Sequence, residues 1–140
     1  MSNTTIKYAK VFISSEEELP LSLEKYKIYI SPEKIHDALY FSSLYIGEGA
    51  TMASESAVLG TPSIYANELK AGSINEQKKR GLVFQTLSLD KILAISKKIL
   101  KSSNSEKYFR DLTTVMLSQK IDLTKYLCNF VLSRTTSDDI

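Results

Sequence analysis

The segment that constrains the fold of this chain most runs from Ile46 to Pro62. Its order of residue types predicts a strand, a turn with Gly47 and Gly49, a helix over residues 50–59, and a stop at Gly60 before the proline. Because glycine tolerates tight turns and close approach, a ligand could come near the main chain at this turn. The free amide groups and the dipole at the start of the helix would favour an anion such as phosphate. We therefore predict an anion-binding site at the mouth of this helix.

Short apolar runs alternate with helical patterns through the first two thirds of the chain. The predicted strands cover residues 10–14, 27–30, 44–46, 63–66 and 81–84, and the predicted helices begin at Pro32, cover 50–59 and, as a short helix, cover 74–80. Strands that are separated by helices predict an α/β fold, here a Rossmann-like parallel sheet of about five strands with helices on both faces. In such sheets ligands bind at the carboxyl ends of the strands, where residues 47–51 would lie.

From residue 89 onward the chain has the pattern of helices alone. Apolar residues recur there at helical spacing in three segments, which are Ile92, Leu93, Ile95, Ile99 and Leu100, then Tyr108, Leu112, Val115 and Met116, and finally Leu123, Tyr126, Leu127, Phe130 and Val131. A polar tail follows, which we expect to fray. We therefore divide the chain into a Rossmann-like domain of residues 1–101 and C-terminal helices in residues 102–140.

Composition narrows the functional classes. Hydrophobic residues make up 43% of the 140 residues, but no apolar run approaches the roughly 18 residues of a membrane span. The net charge of +2 is too small to argue for nucleic acid. The single cysteine, Cys128, excludes an internal disulfide and a multi-cysteine metal site, and we expect it to pack on an apolar helix face. These features predict a cytoplasmic protein without metal, cofactor, nucleic-acid partner or transmembrane segment.

Four segments together carry a resemblance to a known fold family. They are residues 11–16 (VFISSE), 36–40 (HDALY), 46–55 (IGEGATMASE) and 59–62 (LGTP). The run from Val11 to Phe84, which contains them, resembles the carboxy-terminal, nucleotide-sugar-binding domain of GT-B fold glycosyltransferases, in particular a family of little-characterised bacterial and archaeal glycosyltransferase-like proteins. It is more distantly similar to the enzyme that adds N-acetylglucosamine to the lipid-linked cell-wall precursor, and to UDP-N-acetylglucosamine 2-epimerase.

The resemblance implies a UDP-sugar at the glycine turn between Gly47 and Gly49. The backbone amides of Ala50, Thr51 and Met52, together with the Thr51 hydroxyl, would then hold the diphosphate. The resemblance also implies that Glu55 accepts hydrogen bonds from the ribose hydroxyls, a role that suits an acceptor-only carboxylate. The alternative for Glu55 is an ordinary solvated helix residue.

Four further residues are candidates with strong alternatives. Glu76 and Gln77 stand where similar enzymes hold the hydroxyls of the sugar, but the same residues also suit a plain charged helix face. His36, the only histidine, is a candidate general base, and the alternative is a structural residue at the start of a helix. Glu48 would position a ligand or a proton, or would only solvate the turn.

The resemblance also implies that parts of the complete enzyme lie outside this sequence. A GT-B enzyme has a first domain, which binds the acceptor and usually supplies the base, and its second domain begins with a strand at the centre of the sheet. The residues before Val11 are too few for that strand, its loop and its helix. The sheet would then have an open slot beside the strand that ends at Gly47, to be filled by the amino-terminal segment, a partner chain or the rest of a longer protein.

These features together predict the UDP-sugar-binding portion of a glycosyltransferase of surface-glycan biosynthesis. Alone it would be inactive and cytoplasmic, and in the intact enzyme a peripheral membrane location stays open. Its partners would be the nucleotide-sugar and a missing amino-terminal domain or second chain. Two other functions also stay open, a UDP-N-acetylglucosamine 2-epimerase-like domain and a non-catalytic interaction module.

Overall fold

The computed structural model describes residues 8–135 of the chain. Within that range the helices are α1 (Ile35–Tyr40), α2 (Ala50–Val58), α3 (Gly72–Lys79), α4 (Leu89–Lys101), α5 (Ser105–Ser118) and α6 (Leu123–Thr135), and the strands are β1 (Tyr45–Gly47), β2 (Ser63–Tyr65) and β3 (Val83–Gln85). Two short 3-10 turns, Glu24–Tyr26 and Pro32–Lys34, precede α1. None of the described helices is both long enough and apolar enough to cross a membrane.

The sheet is parallel and is flanked by helices, as predicted. Its order is β1-β2-β3, with Ile46 opposite Ile64 and Ile64 opposite Phe84. The connections run through α2 and α3, and these two helices pack against each other. The buried Ser63 hydroxyl donates to the Ala53 carbonyl of α2 at 2.9 Å, which fixes the face that β2 turns toward this helix.

The prediction of about five strands is wrong for the described residues, because the first two predicted strands do not join the sheet. Segments 10–14 and 27–30 meet only in an isolated parallel bridge between Ile13 and Lys27. The Ile13 amide donates to the Tyr26 carbonyl at 2.8 Å, and the Ile28 amide donates to the Ile13 carbonyl at 2.9 Å. A strand needs a neighbour on at least one edge over several residues, and in residues 8–135 neither segment has one.

β1 lies at an edge of the sheet. Its Tyr45 amide donates to the Pro62 carbonyl at 3.0 Å, and its Gly47 carbonyl accepts from the Ala66 amide at 2.8 Å. Because successive backbone groups of a strand alternate between its two edges, the amide and carbonyl of Ile46 point away from β2. No strand within residues 8–135 pairs with that side. The prediction that the amino-terminal segment fills the slot falls largely on residues 1–7, which lie outside the described residues. The expected fraying of the polar tail falls largely on residues 136–140, which also lie outside them.

The core lies between the sheet and the helices that cover it. Its buried residues are Ala53, Ala57, Tyr65, Ile74, Leu82, Val83, Ile99, Phe109 and Met116. Two of them, Phe109 and Met116, belong to α5, and the Thr113 hydroxyl of the same helix donates to the Ala57 carbonyl of α2 at 2.8 Å. Helix α5, in the region predicted as C-terminal helices, therefore shares the core of the sheet.

Helix α6 has a different environment, since every side chain described in it is exposed. Its apolar residues Tyr126, Leu127 and Phe130 are 54%, 49% and 47% exposed. The expectation that Cys128 packs on an apolar helix face is wrong, because this thiol is exposed. The prediction of a helix in this segment is confirmed. The spacing of its apolar residues contains no information about which surface covers them.

Candidate functional site

The turn between β1 and α2 has the backbone geometry of an open helix start. Gly49 is the residue before the helix, with an extended backbone at φ −82° and ψ 119°. Within the described residues no side chain caps this end, and the first helical bond runs from the Ala53 amide to the Gly49 carbonyl at 3.1 Å. The amides of residues 50–52 are therefore available to a ligand at the positive end of the helix dipole. Thr51 is exposed beside them.

The two glycines of this turn have different surroundings from those that the sequence suggested. Neither Gly47 nor Gly49 has a positive φ, so the turn does not depend on the left-handed conformation. A Cβ atom on Gly47 would collide with the phenol of Tyr45, whose ring lies over it. Gly49 has open space around it, with the Met52 Cγ at 4.0 Å as the nearest atom, so it keeps the mouth of the helix accessible. Partial burial raises the pKa of the Tyr45 phenol above its ordinary value.

Glu55 lies one turn further along α2, on the same side of the helix as Thr51. Its Oε2 atom is 3.4 Å from Nε2 of His36, which lies in the first turn of α1. The His36 side chain is 66% exposed and that of Glu55 is 39% exposed, so the pair is open to solvent. The structure thus brings together two residues that the sequence analysis treated separately.

The carboxyl ends of the strands carry a polar network that the sequence analysis missed. The Asn67 side-chain amide donates to the Glu48 carbonyl at 3.3 Å, which ties the loop after β2 to the turn after β1. Gln85 donates to the Asn67 carbonyl at 2.7 Å, and its own oxygen accepts from Lys78 Nζ at 2.7 Å. Asn67 and Gln85 lie at or after the ends of parallel strands, and that position is a signal from which they could have been found.

Gln77 has a structural environment. It is 4% exposed, and its side-chain amide donates to the carbonyl and the hydroxyl oxygen of Ser54 at 3.1 and 3.0 Å. Since Ser54 turns toward α3 while Glu55 turns toward α1, Gln77 lies on a different side of α2 from the Glu55 carboxylate. It contacts the helix and not the turn.

Glu76 is held by cations at the end of α3. Its carboxylate contacts Lys120 Nζ at 2.6 Å and Arg80 at 3.1 Å. The hydrogen bond from Lys120, with help from Arg80, lowers the pKa of Glu76. Arg80 also donates to the side chain of Gln119, which follows α5, at 2.8 Å. These contacts join α3 to the end of α5, and in this arrangement the Glu76 carboxylate is already engaged.

The structure therefore brings one part of the predicted set of site residues together. Gly47, Glu48, Gly49 and the amides of residues 50–52 lie in one turn, and His36 with Glu55 lies beside the helix that leaves it. Glu76 and Gln77 make contacts elsewhere on α3. Among the described residues, no three histidine, cysteine, aspartate or glutamate side chains come together in a way that could hold a metal ion.

Comparison with known protein families identifies one family. The model of the family described as "Protein of unknown function (DUF354)" matches residues 7–125, and the chain belongs to that family. Comparison with curated proteins and with solved structures returns no match.

Proposed function

We propose that this DUF354 protein is the nucleotide-sugar-binding portion of a glycosyltransferase, with a UDP-sugar as the donor. The observation that carries the proposal is the uncapped start of α2 beside an exposed carboxylate, at the carboxyl edge of a parallel sheet. This is the position at which open α/β sheets bind their ligands. The amides at the start of α2 can donate hydrogen bonds to a phosphate, and the Glu55 carboxylate, one helical turn further along, can accept them from hydroxyls.

The diphosphate would bind at the start of α2. The amides of Ala50, Thr51 and Met52, with the Thr51 hydroxyl, supply donors at the positive end of the helix dipole. Gly49 adds no side chain between these donors and the solvent. During transfer of the sugar, negative charge grows on the departing UDP, and the same donors would stabilise that charge.

The ribose would bind beside Glu55. An ionised carboxylate only accepts hydrogen bonds, and the two ribose hydroxyls are donors. The exposure of Glu55 supports the assignment, because a ligand can reach the carboxylate without a rearrangement of the helix. The sugar would then lie toward the loops after β2 and β3, where Asn67 and Glu48 stand.

The acceptor and the catalytic base would come from a part of the enzyme other than residues 8–135. The open edge of β1 supports the proposal that another part of the enzyme completes the sheet. The Ile46 amide and carbonyl face away from β2, and no strand among the described residues pairs with them. A strand that paired with β1 would complete the sheet next to the turn. The same edge favours the second candidate function, an interaction module whose sheet is completed by another chain.

Titration calorimetry with UDP and UDP-N-acetylglucosamine tests the donor site. We expect the chain to bind UDP, and we expect Glu55→Ala to weaken binding by about 10- to 100-fold, the range for lost hydrogen bonds to a charged group. Asp111→Ala is the matched control, since Asp111 is an exposed carboxylate that pairs with Lys107 on α5. A chain that binds neither nucleotide would refute the donor site. Inversion of the sugar at C2 when a UDP-sugar is incubated with the intact enzyme, with and without acceptor, would identify the epimerase alternative instead.

A further inference from the structure

We propose that His36 is a positioning residue that holds the Glu55 carboxylate ready for the ribose hydroxyls of a nucleotide. The proposal rests on the proposed function, since it takes Glu55 as the ribose acceptor. Nε2 of the imidazole lies 3.4 Å from one carboxylate oxygen, Oε2, and this contact leaves the other oxygen, Oε1, for the ligand. His36 is then neither a general base nor a mere surface residue.

The first argument is the placement of the pair. His36 lies in α1 and Glu55 in α2, so the contact joins two helices that the turn after β1 separates in sequence. Within residues 8–135, the only side chain within ion-pair distance of the Glu55 carboxylate is His36. Because Glu55 is four residues after Thr51, the contact acts on a carboxylate that lies on the same side of α2 as the proposed diphosphate site.

The second argument is energetic. Both side chains are substantially exposed, at 66% and 39%, and ion pairs of that kind contribute little to folding. We therefore expect the contact to add little to the free energy of unfolding. A long acidic side chain loses rotamer freedom when it binds a ligand, and a side chain that is held beforehand loses less. The contact would therefore affect ligand affinity, by an amount that the small energy of an exposed pair limits.

The experiment compares two nucleotides, UDP and 2′,3′-dideoxy-UDP, which lacks both ribose hydroxyls. We expect His36→Ala to weaken the binding of UDP by about 2- to 5-fold, the range that an exposed pair can supply and a partial loss compared with removal of the acceptor itself. The affinity for dideoxy-UDP should not change. His36→Gln, which keeps a hydrogen-bond donor, should restore part of the affinity for UDP. In a Glu55→Ala background the effect of His36→Ala should disappear, which a double-mutant cycle measures.

A matched control tests whether any change in α1 has the same effect. Lys34→Ala removes a comparable exposed ion pair, with Asp37 at 3.4 Å, from the same end of α1. It should change neither nucleotide affinity. The melting temperature of His36→Ala should equal that of the unmodified chain, which separates positioning from loss of fold.

The outcomes distinguish the two proposals. If the unmodified chain does not bind UDP, the donor site fails and the role of His36 fails with it. If UDP binds and Glu55→Ala weakens it while His36→Ala does not, only the positioning role is overturned. Equal losses for UDP and dideoxy-UDP in His36→Ala would also overturn it, because the effect would not pass through the ribose.

Discussion

At the scale of single residues, the glycines that end helices α2 and α3 differ from those of the turn after β1. Gly60 and Gly81 have positive φ angles of 85° and 76°, and each follows the last turn of a helix. After α2 the Gly60 amide donates to Ala57 and the Thr61 amide to Ser56, and the same two bonds recur around Gly81 after α3. This is the hydrogen-bond pattern of a Schellman ending. Gly47 instead lies under the Tyr45 ring, and Gly49 leaves the start of α2 open.

Alanine substitutions separate these roles by their effect on the free energy of unfolding. We expect Gly81→Ala to lose about 1–2 kcal/mol, because alanine is strained at positive φ while the space around Gly81 is open. Gly60→Ala should lose more than that, since the new Cβ would also lie 3.0 Å from Arg110 Cγ. Urea denaturation of each variant measures both losses.

Gly72→Ala is the control for this series. Gly72 is the first residue of α3, it has negative φ, and no atom lies within 4 Å of the added Cβ. The substitution should leave stability unchanged or raise it by up to about 1 kcal/mol, because alanine is the better helix former. A Gly60→Ala loss no larger than that of Gly81→Ala would contradict the steric part of the argument.

Pro62 and the glycine stop were predictable because their effects are local to a few residues. The role of Gly47 was not, since it depends on the ring of Tyr45 folding back over the turn. The pairing of His36 with Glu55 was equally hidden, because it joins two helices that only the tertiary fold brings together. The sequence thus indicated the composition of the site and not its contacts.

At the scale of elements, Arg110 of α5 joins three helices. Its guanidinium donates to the Tyr40 carbonyl at 3.1 Å, at the end of α1, and to the Leu59 carbonyl at 3.4 Å, just after α2. It also lies over the Tyr40 ring, at 3.9 Å from the centroid. Cations at helix carboxyl ends complement the dipole and satisfy the terminal carbonyls. Arg110 therefore fixes α5 against the helices that carry His36 and Glu55.

We expect Arg110→Ala to destabilise the chain by about 1–3 kcal/mol, since charge-assisted hydrogen bonds and the ring contact are lost together. The loss should appear as a lower midpoint of urea denaturation. Lys107→Ala on the same helix is the control, because its Asp111 pair at 2.6 Å is largely exposed and should contribute little. Similar shifts in the two variants would show that Arg110 acts as an ordinary surface charge.

The elements differed in how well the sequence predicted them. Helix α2 was predicted at its start and within one residue of its end, because glycine and proline mark its limits. The prediction of the first two strands was wrong. A strand forms only beside a partner strand, and an apolar run such as residues 10–14 does not specify which segment will pair with it. The bridge between Ile13 and Lys27 is what remains of that prediction.

At the scale of the whole molecule, the open edge of β1 is the feature with the widest consequence. A row of unpaired backbone groups is a template for another strand. In this chain the Ile46 amide and carbonyl face that edge, while the bonds of β1 to β2 use its neighbours Tyr45 and Gly47. The edge can therefore be changed without loss of the existing ladder.

We expect the purified chain to self-associate through this edge when no other strand is supplied. Light scattering after size exclusion should give a mass above the 15.7 kDa monomer that rises with concentration. Ile46→Pro should bring the mass toward the monomer, because proline removes the amide that faces outward. Circular dichroism checks that the variant keeps its helices.

Helix α6 supplies the control, because its exposed apolar face is another surface that could associate. Phe130→Lys places a charge in that face and leaves β1 untouched. If this variant becomes monomeric while Ile46→Pro does not, the contact is the helix and the account of the edge is wrong. An unmodified chain that stays monomeric at all concentrations would contradict it as well.

The ring of Tyr45 over Gly47 also gives the chain an optical signal of its own. The sequence contains eight tyrosines and no tryptophan, so its near-ultraviolet emission comes from phenol rings alone. One of those rings borders the turn at which we place the nucleotide. A ligand that binds at this turn changes the surroundings of the Tyr45 ring. The tyrosine fluorescence of the unlabelled protein should therefore change when the ligand binds.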